Sequence, residues 1–189
     1  MTLTQARAPE QHGDTRARFS VGEYERMTEM GLFQDRRVEL IEGEIHDMAA
    51  LLDPHAALLM RLNRILLRNL PTEVTVGCQV PIALSDGEPE PDFCVSRAHF
   101  SAQRKLRADE LALVIEISDS TLKKDRGLKL RSYARAGIPD YWIVNLNTDP
   151  ITLEVYRGPF GEEYRSRQVL DAGEKCAPLE YADCPLEWW

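Results

Sequence analysis

The stretch Leu111-Ala112-Leu113-Val114-Ile115-Glu116-Ile117-Ser118 constrains this chain more than any other. Five consecutive apolar residues without polar alternation predict a central strand covered on both faces. A carboxylate follows them directly. Buried and unpaired, Glu116 would cost several kcal/mol or shift its pKa. A metal ion, a lysine or a salt bridge to a nearby basic residue would each remove that cost.

At 189 residues, 43% hydrophobic and 29% charged, the chain has enough apolar content for one core-forming domain. Residues 1–18 mix small, polar and charged types and are expected to be a disordered lead, with a single domain over 19–189. No apolar run is long enough to span a bilayer, and the N-terminus lacks a basic-then-apolar signal pattern, so a cytoplasmic protein with no membrane partner is expected. Cys78, Cys94, Cys176 and Cys184 form no CxxC pair and are expected to be free thiols. The net charge of −8 argues against a non-specific nucleic-acid coat, though not against a nuclease whose basic residues are local. Residues 97–135 hold ten Lys and Arg against five acids, a local excess of +5 that fits a solvated helix face or a phosphate-binding surface.

Local signals predict the remaining elements. Ser20 and Glu23 form a capping box opening a helix to about Met30, which Gly31 ends. Two β-prone runs flank Glu42-Gly43 and predict a hairpin, which would leave Glu39 a solvated acid on an edge strand. Pro54 opens a helix to about Asn69, with Leu58, Leu59, Leu62, Ile65 and Leu66 in one apolar stripe and His55 in its first turn. Strands are expected within 73–84, over Phe93-Cys94-Val95 after Pro91-Asp92, and over Asp140–Val144. Asp119-Ser120-Thr121 would cap a helix to Ala136 in which Asp125 and Lys129 make an ordinary i,i+4 salt bridge. A hairpin is expected over 151–170, turning around Gly158-Pro159-Phe160-Gly161, and Trp188-Trp189 would cover the core or a subunit contact. The pattern is that of one α+β domain with a mixed sheet.

Two acids at the ends of buried strands, with a lysine on the next helix, supply the parts of a metal-dependent phosphodiesterase. Magnesium takes oxygen ligands, commonly one or two carboxylates with waters and phosphate completing its shell, and acts as a Lewis acid and water activator. Asp92 and Glu116 fit as those carboxylates. Lys129 could hold or polarise the attacking water, and Glu39 could add a ligand or bind a metal-bound water.

The segments Val38–Gly43, Pro91-Asp92, Ile115–Ser118, Asp125–Leu130, Tyr133 and Ala136-Gly137-Ile138-Pro139-Asp140-Tyr141-Trp142-Ile143-Val144 resemble, in matching order, the Uma-two-type restriction endonuclease family. That family is similar in fold to the PD-(D/E)XK nuclease superfamily. The resemblance implies a restriction endonuclease-like α/β/α-type core, with a mixed sheet flanked by helices. It also implies Mg²⁺- or Mn²⁺-dependent hydrolysis of DNA, with Glu39, Asp92, Glu116 and Lys129 as catalytic residues and Asp92 and Glu116 as metal ligands. The departure is Ser118, where the superfamily pattern has lysine, and Lys129 would be the migrated replacement. Lys123 and Lys124 compete with it but are expected to face solvent. A homodimer is expected of a small nuclease that must engage two strands. The alternative is a non-catalytic domain that keeps the fold for binding or dimerisation, although such a domain has no need of three acids at strand ends.

Overall fold

The computed structural model describes residues 16–50 and 52–188. Most of the expected disordered lead lies outside these residues; at its end, Arg16 and Arg18 pair with Glu44. In chain order the elements are α1 (Val21–Glu29), β1 (Val38–Ile41), β2 (Glu44–Asp47), α2 (Asp53–Asn69), β3 (Thr75–Cys78), β4 (Ile82–Ala83), β5 (Phe93–Ser96), β6 (Leu106–Arg107) and β7 (Leu111–Ser118). A composite helix, α3, then runs through an α-turn (Leu122–Lys124), a π-helical turn (Asp125–Lys129) and an α segment (Leu130–Arg135). Strands β8 (Asp140–Asn145), β9 (Thr152–Phe160) and β10 (Glu163–Leu170) follow.

Six strands form one mixed sheet in the order β10-β9-β8-β7-β5-β3. Within this sheet, among the described residues, only β7 and β8 run parallel, because α3 carries the chain back over the sheet between them; the other neighbours in it are antiparallel. Every residue of β7 is buried, as its unbroken apolar run requires. The two sheet faces carry two separate cores. On one, Leu58, Leu62 and Leu66 of α2 pack with Leu113, Ile115, Trp142 and Trp188. On the other, Tyr133 and Ile138 pack with Val114, Tyr141 and Ile143. Glu116 lies two residues beyond Val114, on the same face of the strand, and therefore projects towards the α3 side. The sheet flanked by helices agrees with the expected fold class.

The capping box at Ser20 is formed as expected, and the β1–β2 hairpin turns at Glu42-Gly43, both with positive φ. This hairpin is not part of the large sheet. It is tied on where Glu88 N donates to Leu40 O at 2.7 Å, and a Cβ on Gly87 would stand 2.5 Å from that same carbonyl oxygen. The second hairpin differs from expectation: β9 continues through Gly158 to Phe160, and the turn is Gly161-Glu162. Gly158 has φ +71, yet the pairing keeps the same register on both sides of it, so the strand continues through it. All four cysteines are free. Trp188 joins the core, while its neighbour Trp189 lies outside the described residues. No helix among the described residues is long and apolar enough to cross a membrane.

Leu66 is fully buried under α2, and Leu66→Ala should destabilise the protein by about 2–5 kcal/mol in urea unfolding. Gly87→Ala should cost about 1–3 kcal/mol by forcing the hairpin off its anchor. A Gly87→Ala protein as stable as wild type would show that the hairpin is not held there.

Candidate active site

Burial of Glu116 is compensated from α3. Lys129 Nζ lies 2.9 Å from Glu116 Oε1, and the Tyr133 hydroxyl donates to the same oxygen at 2.7 Å. Glu116 Oε2 accepts no hydrogen bond from the described residues, and the residue lines a cleft of about 80 Å³. Lys129 also lies 3.2 Å from Glu39 Oε2, so one buried ammonium bridges two carboxylates from different elements.

The π-helical turn sets this alignment. Successive residues advance about 100° around an α-helix and less around the wider π-turn. Asp125, Lys129 and Tyr133 would drift steadily around an unbroken α-helix; with the π-turn they stack in one inward row, and all three are buried. The expected Asp125–Lys129 salt bridge does not form. Lys129 is drawn to Glu116 and Glu39, while Asp125 Oδ2 accepts from Ser118 Oγ at 2.7 Å and Thr121 Oγ1 at 2.6 Å. Thr121 consequently makes no side-chain cap on α3, contrary to expectation.

Asp92 precedes β5. One step beyond the Phe93–Ile115 pairing of β5 and β7, it falls opposite Glu116 on the neighbouring strand. Its carboxylate accepts from Ile117 N at 2.8 Å and Gln79 Nε2 at 3.2 Å, and lies 3.1 Å from His55 Nε2. The first turn of α2 thus faces the cleft. Glu39 is not the solvated edge acid that its spacing predicted: it is 1% exposed, with Lys124 Nζ at 2.7 Å and Glu90 N at 3.2 Å in addition to Lys129. Lys124, expected to face solvent, reaches into the cleft to make that bond, whereas Lys123 is exposed as expected. The structure therefore brings Glu39, Asp92, Glu116 and Lys129 into one place.

The acids differ in their protonation tendencies. Burial opposes ionisation of all of them. For Glu39 the charges of Lys129 and Lys124 outweigh it, and for Asp92 the His55 contact and two N–H donors do, so both pKa values are lowered. Burial also opposes charging His55, yet Asp92 raises its pKa. Glu116 is pushed up to about 8 by complete burial and by the charges of Asp125, Asp92 and Glu39, which Lys129 only partly offsets. The cleft wall carries Glu39, Glu90, Asp92, Glu116, Asp119 and Asp125 against Arg37, Lys124, Lys129 and His55. With every acid ionised and His55 charged, the wall would carry two negative charges in excess, and the raised pKa of Glu116 lowers that excess at neutral pH. No three His, Cys, Asp or Glu side chains among the described residues form a ready cage for a metal ion. An ion held through one or two carboxylates with water needs no such cage, and the open Glu116 oxygen beside Asp92 fits that mode.

The basic cluster over 97–135 is solvated, as expected of a surface face, with the Arg97, Arg104, Arg107, Arg126 and Arg131 side chains 41–59% exposed, but it is largely ion-paired. Arg97 pairs with Glu180, Arg104 with Glu110, Lys105 with Glu25 and Glu88, Arg126 with Glu154, and Arg131 and Arg135 with Glu42. The acids that neutralise it are mostly remote in sequence, which a window count does not see.

A mixed sheet flanked by helices, with acids from adjacent strands meeting a helix lysine, defines a nuclease-like fold. The sequence model of the Uma2 family, described as "Putative restriction endonuclease", matches residues 21–183, and the chain belongs to this family. The crystal structure of a "putative nuclease belonging to DUF820" from Anabaena variabilis superposes with a TM-score of 0.68 at 17% identity, covering 87% of this chain and 92% of that one. That likeness establishes the shared fold. No curated protein matches the chain.

The raised pKa of Glu116 has a consequence for stability. Between the ordinary value of 4.5 and about 8, the folded state binds more protons than the unfolded one. The stabilisation from this group is therefore complete below that window and lost as pH rises through it. Without divalent ions, wild type should lose stability relative to Glu116→Gln across this range in thermal melts. Parallel pH profiles for the two proteins would contradict the assignment.

Proposed function

We propose that this chain is a divalent-metal-dependent endonuclease that hydrolyses DNA phosphodiester bonds. The observation that carries the reading is Lys129 Nζ, held between Glu116 and Glu39 at a cleft whose wall also presents Asp92. The descriptions of the family and of the structural neighbour as nucleases point the same way.

In this reading Asp92 and Glu116 hold Mg²⁺ or Mn²⁺. The bound cation would supply Lewis-acid stabilisation of the phosphate oxygens and activation of water. The protein's own groups do the rest. His55, Gln79 and the Ile117 N–H orient Asp92. Glu116 and Glu39 raise the pKa of Lys129 despite its burial, so it remains an ammonium. Lys129 therefore acts by holding the attacking water and the scissile phosphate through charge and hydrogen bonding, not as a general base. Tyr133 fixes the Glu116 oxygen that faces Lys129. A homodimer would present two such clefts to the two strands of a duplex.

Neutralisation of the basic cluster favours the second reading, a non-catalytic domain that binds or dimerises through this fold. One set of assays separates the two. Wild type with Mg²⁺ or Mn²⁺ should nick plasmid or cleave single-stranded DNA. Asp92→Asn and Glu116→Gln should abolish cleavage, and Lys129→Ala should slow it by on the order of 10²–10³. A wild type inert on both DNAs, or variants that cleave normally, would sink the nuclease reading.

A further inference from the structure

We propose that the outer face of α2 binds the phosphates of the substrate strand that lie outside the scissile bond, with Arg61, Arg64 and Arg68 as the binding residues. The proposal rests on the nuclease reading above and assigns it a backbone-binding surface.

Most cations over 97–135 are spent on acids of the protein itself. The outer face of α2 differs. Arg61, Arg64 and Arg68 are all exposed, and with Lys175 of the C-terminal segment they line a groove of about 650 Å³. Glu187 is the one acid on the groove wall among the described residues, and it pairs with Lys175. Neither Arg64 nor Arg68 has an ion-pair partner among the described residues. No acid occurs between Asp53 and Glu73, so none of the three arginines has a carboxylate three or four positions away. They have each other instead. Arg61 and Arg64 are three apart and Arg64 and Arg68 four apart, spacings at which like charges destabilise a helix. A face that only solvates α2 gains nothing from that repulsion, whereas a polyanion laid along it removes the repulsion. The helix also joins the groove to the cleft: Leu52 and His55 line the cleft, Ala57 and Met60 the groove. At about 1.5 Å of rise per residue, Arg61 and Arg68 stand about 9 and 20 Å from His55 along the axis. Phosphates of one B-form strand advance about 3.4 Å each, so this is the reach of about three to six nucleotides. The arginines face away from the sheet, so the strand crosses the first turn of α2 between cleft and groove. Guanidinium forks match phosphate oxygens in pairs. The shared helix favours the strand being cut over an unrelated acidic peptide.

Fluorescence anisotropy of the full chain with a labelled single-stranded DNA, in EDTA to prevent cleavage, tests this. At about 0.1 M salt, Arg64→Ala/Arg68→Ala should bind roughly 10- to 30-fold more weakly than wild type, and the slope of log affinity against log salt should fall by about 1.4, or about 0.7 per lost phosphate contact. Arg64→Lys/Arg68→Lys keeps the charges and should keep most of that slope. Arg26→Ala/Arg165→Ala removes two exposed arginines outside the groove and should bind as wild type does. Should circular dichroism show the first variant misfolded, Arg64→Ala alone replaces it, with a slope lower by about 0.7. Unchanged affinity and slope in the groove variant overturn the proposal. An equal loss in Arg26→Ala/Arg165→Ala also overturns it, since net charge alone would then explain the effect. So does a polyglutamate peptide that displaces the DNA as readily as unlabelled DNA, because the groove would then serve acidic proteins. If wild type cleaves DNA with Mg²⁺ and the groove variant binds DNA as well as wild type, this inference falls and the proposed function stands. Groove-dependent binding by a wild type that never cleaves keeps the groove and removes the nuclease.

Discussion

The site depends on one buried ammonium. Lys129 stands between Glu116 of the central strand and Glu39 of the separate hairpin, and its charge works against the burial of both. Breaking a buried ion pair leaves an uncompensated charge in a poorly solvated place, which costs more than the pair itself contributes. The lysine therefore couples three elements. Sheet, hairpin and α3 must all be in register before its charge is satisfied. The hairpin is tied to the segment leading into β5 through the Leu40–Glu88 bridge, so this electrostatic tie holds Glu39 against the cleft from the other side.

The sheet does the remaining positioning. Antiparallel pairing of β5 with β7 sets Asp92 beside Glu116, and the parallel return through α3 is what lays a helix over that strand end. The π-helical turn falls where the side-chain row must be straightened. Its wider winding keeps Asp125, Lys129 and Tyr133 facing one strand over two turns. On the opposite face, α2 is fixed by its leucine stripe, and that packing delivers His55 to Asp92.

Charge is distributed with the same economy. Most basic side chains over 97–135 are consumed by ion pairs with acids elsewhere in the fold, while the cleft keeps a negative excess and an acid with a raised pKa.

What the sequence determined by itself is whatever hydrophobic periodicity and local chemistry can express. The apolar run of β7, the leucine stripe of α2, the Ser20–Glu23 capping box and the strand after Pro91-Asp92 all depend on residues a few positions apart, and all are present. Glu116 stood out because a carboxylate inside an apolar strand demands a partner. Which partner it receives was decided only by the tertiary structure. Glu39 read as a solvated acid because its burial depends on Lys124, 85 residues away. Lys124 itself read as a surface lysine for the same reason. The Asp125–Lys129 bridge, favoured by local spacing, gave way to stronger remote partners, and the π-turn that aligns the row has no signature in residue type. Spacing reports which side chains share a face. Ion pairing depends on what that face meets, and only the assembled sheet, hairpin and helix supply that.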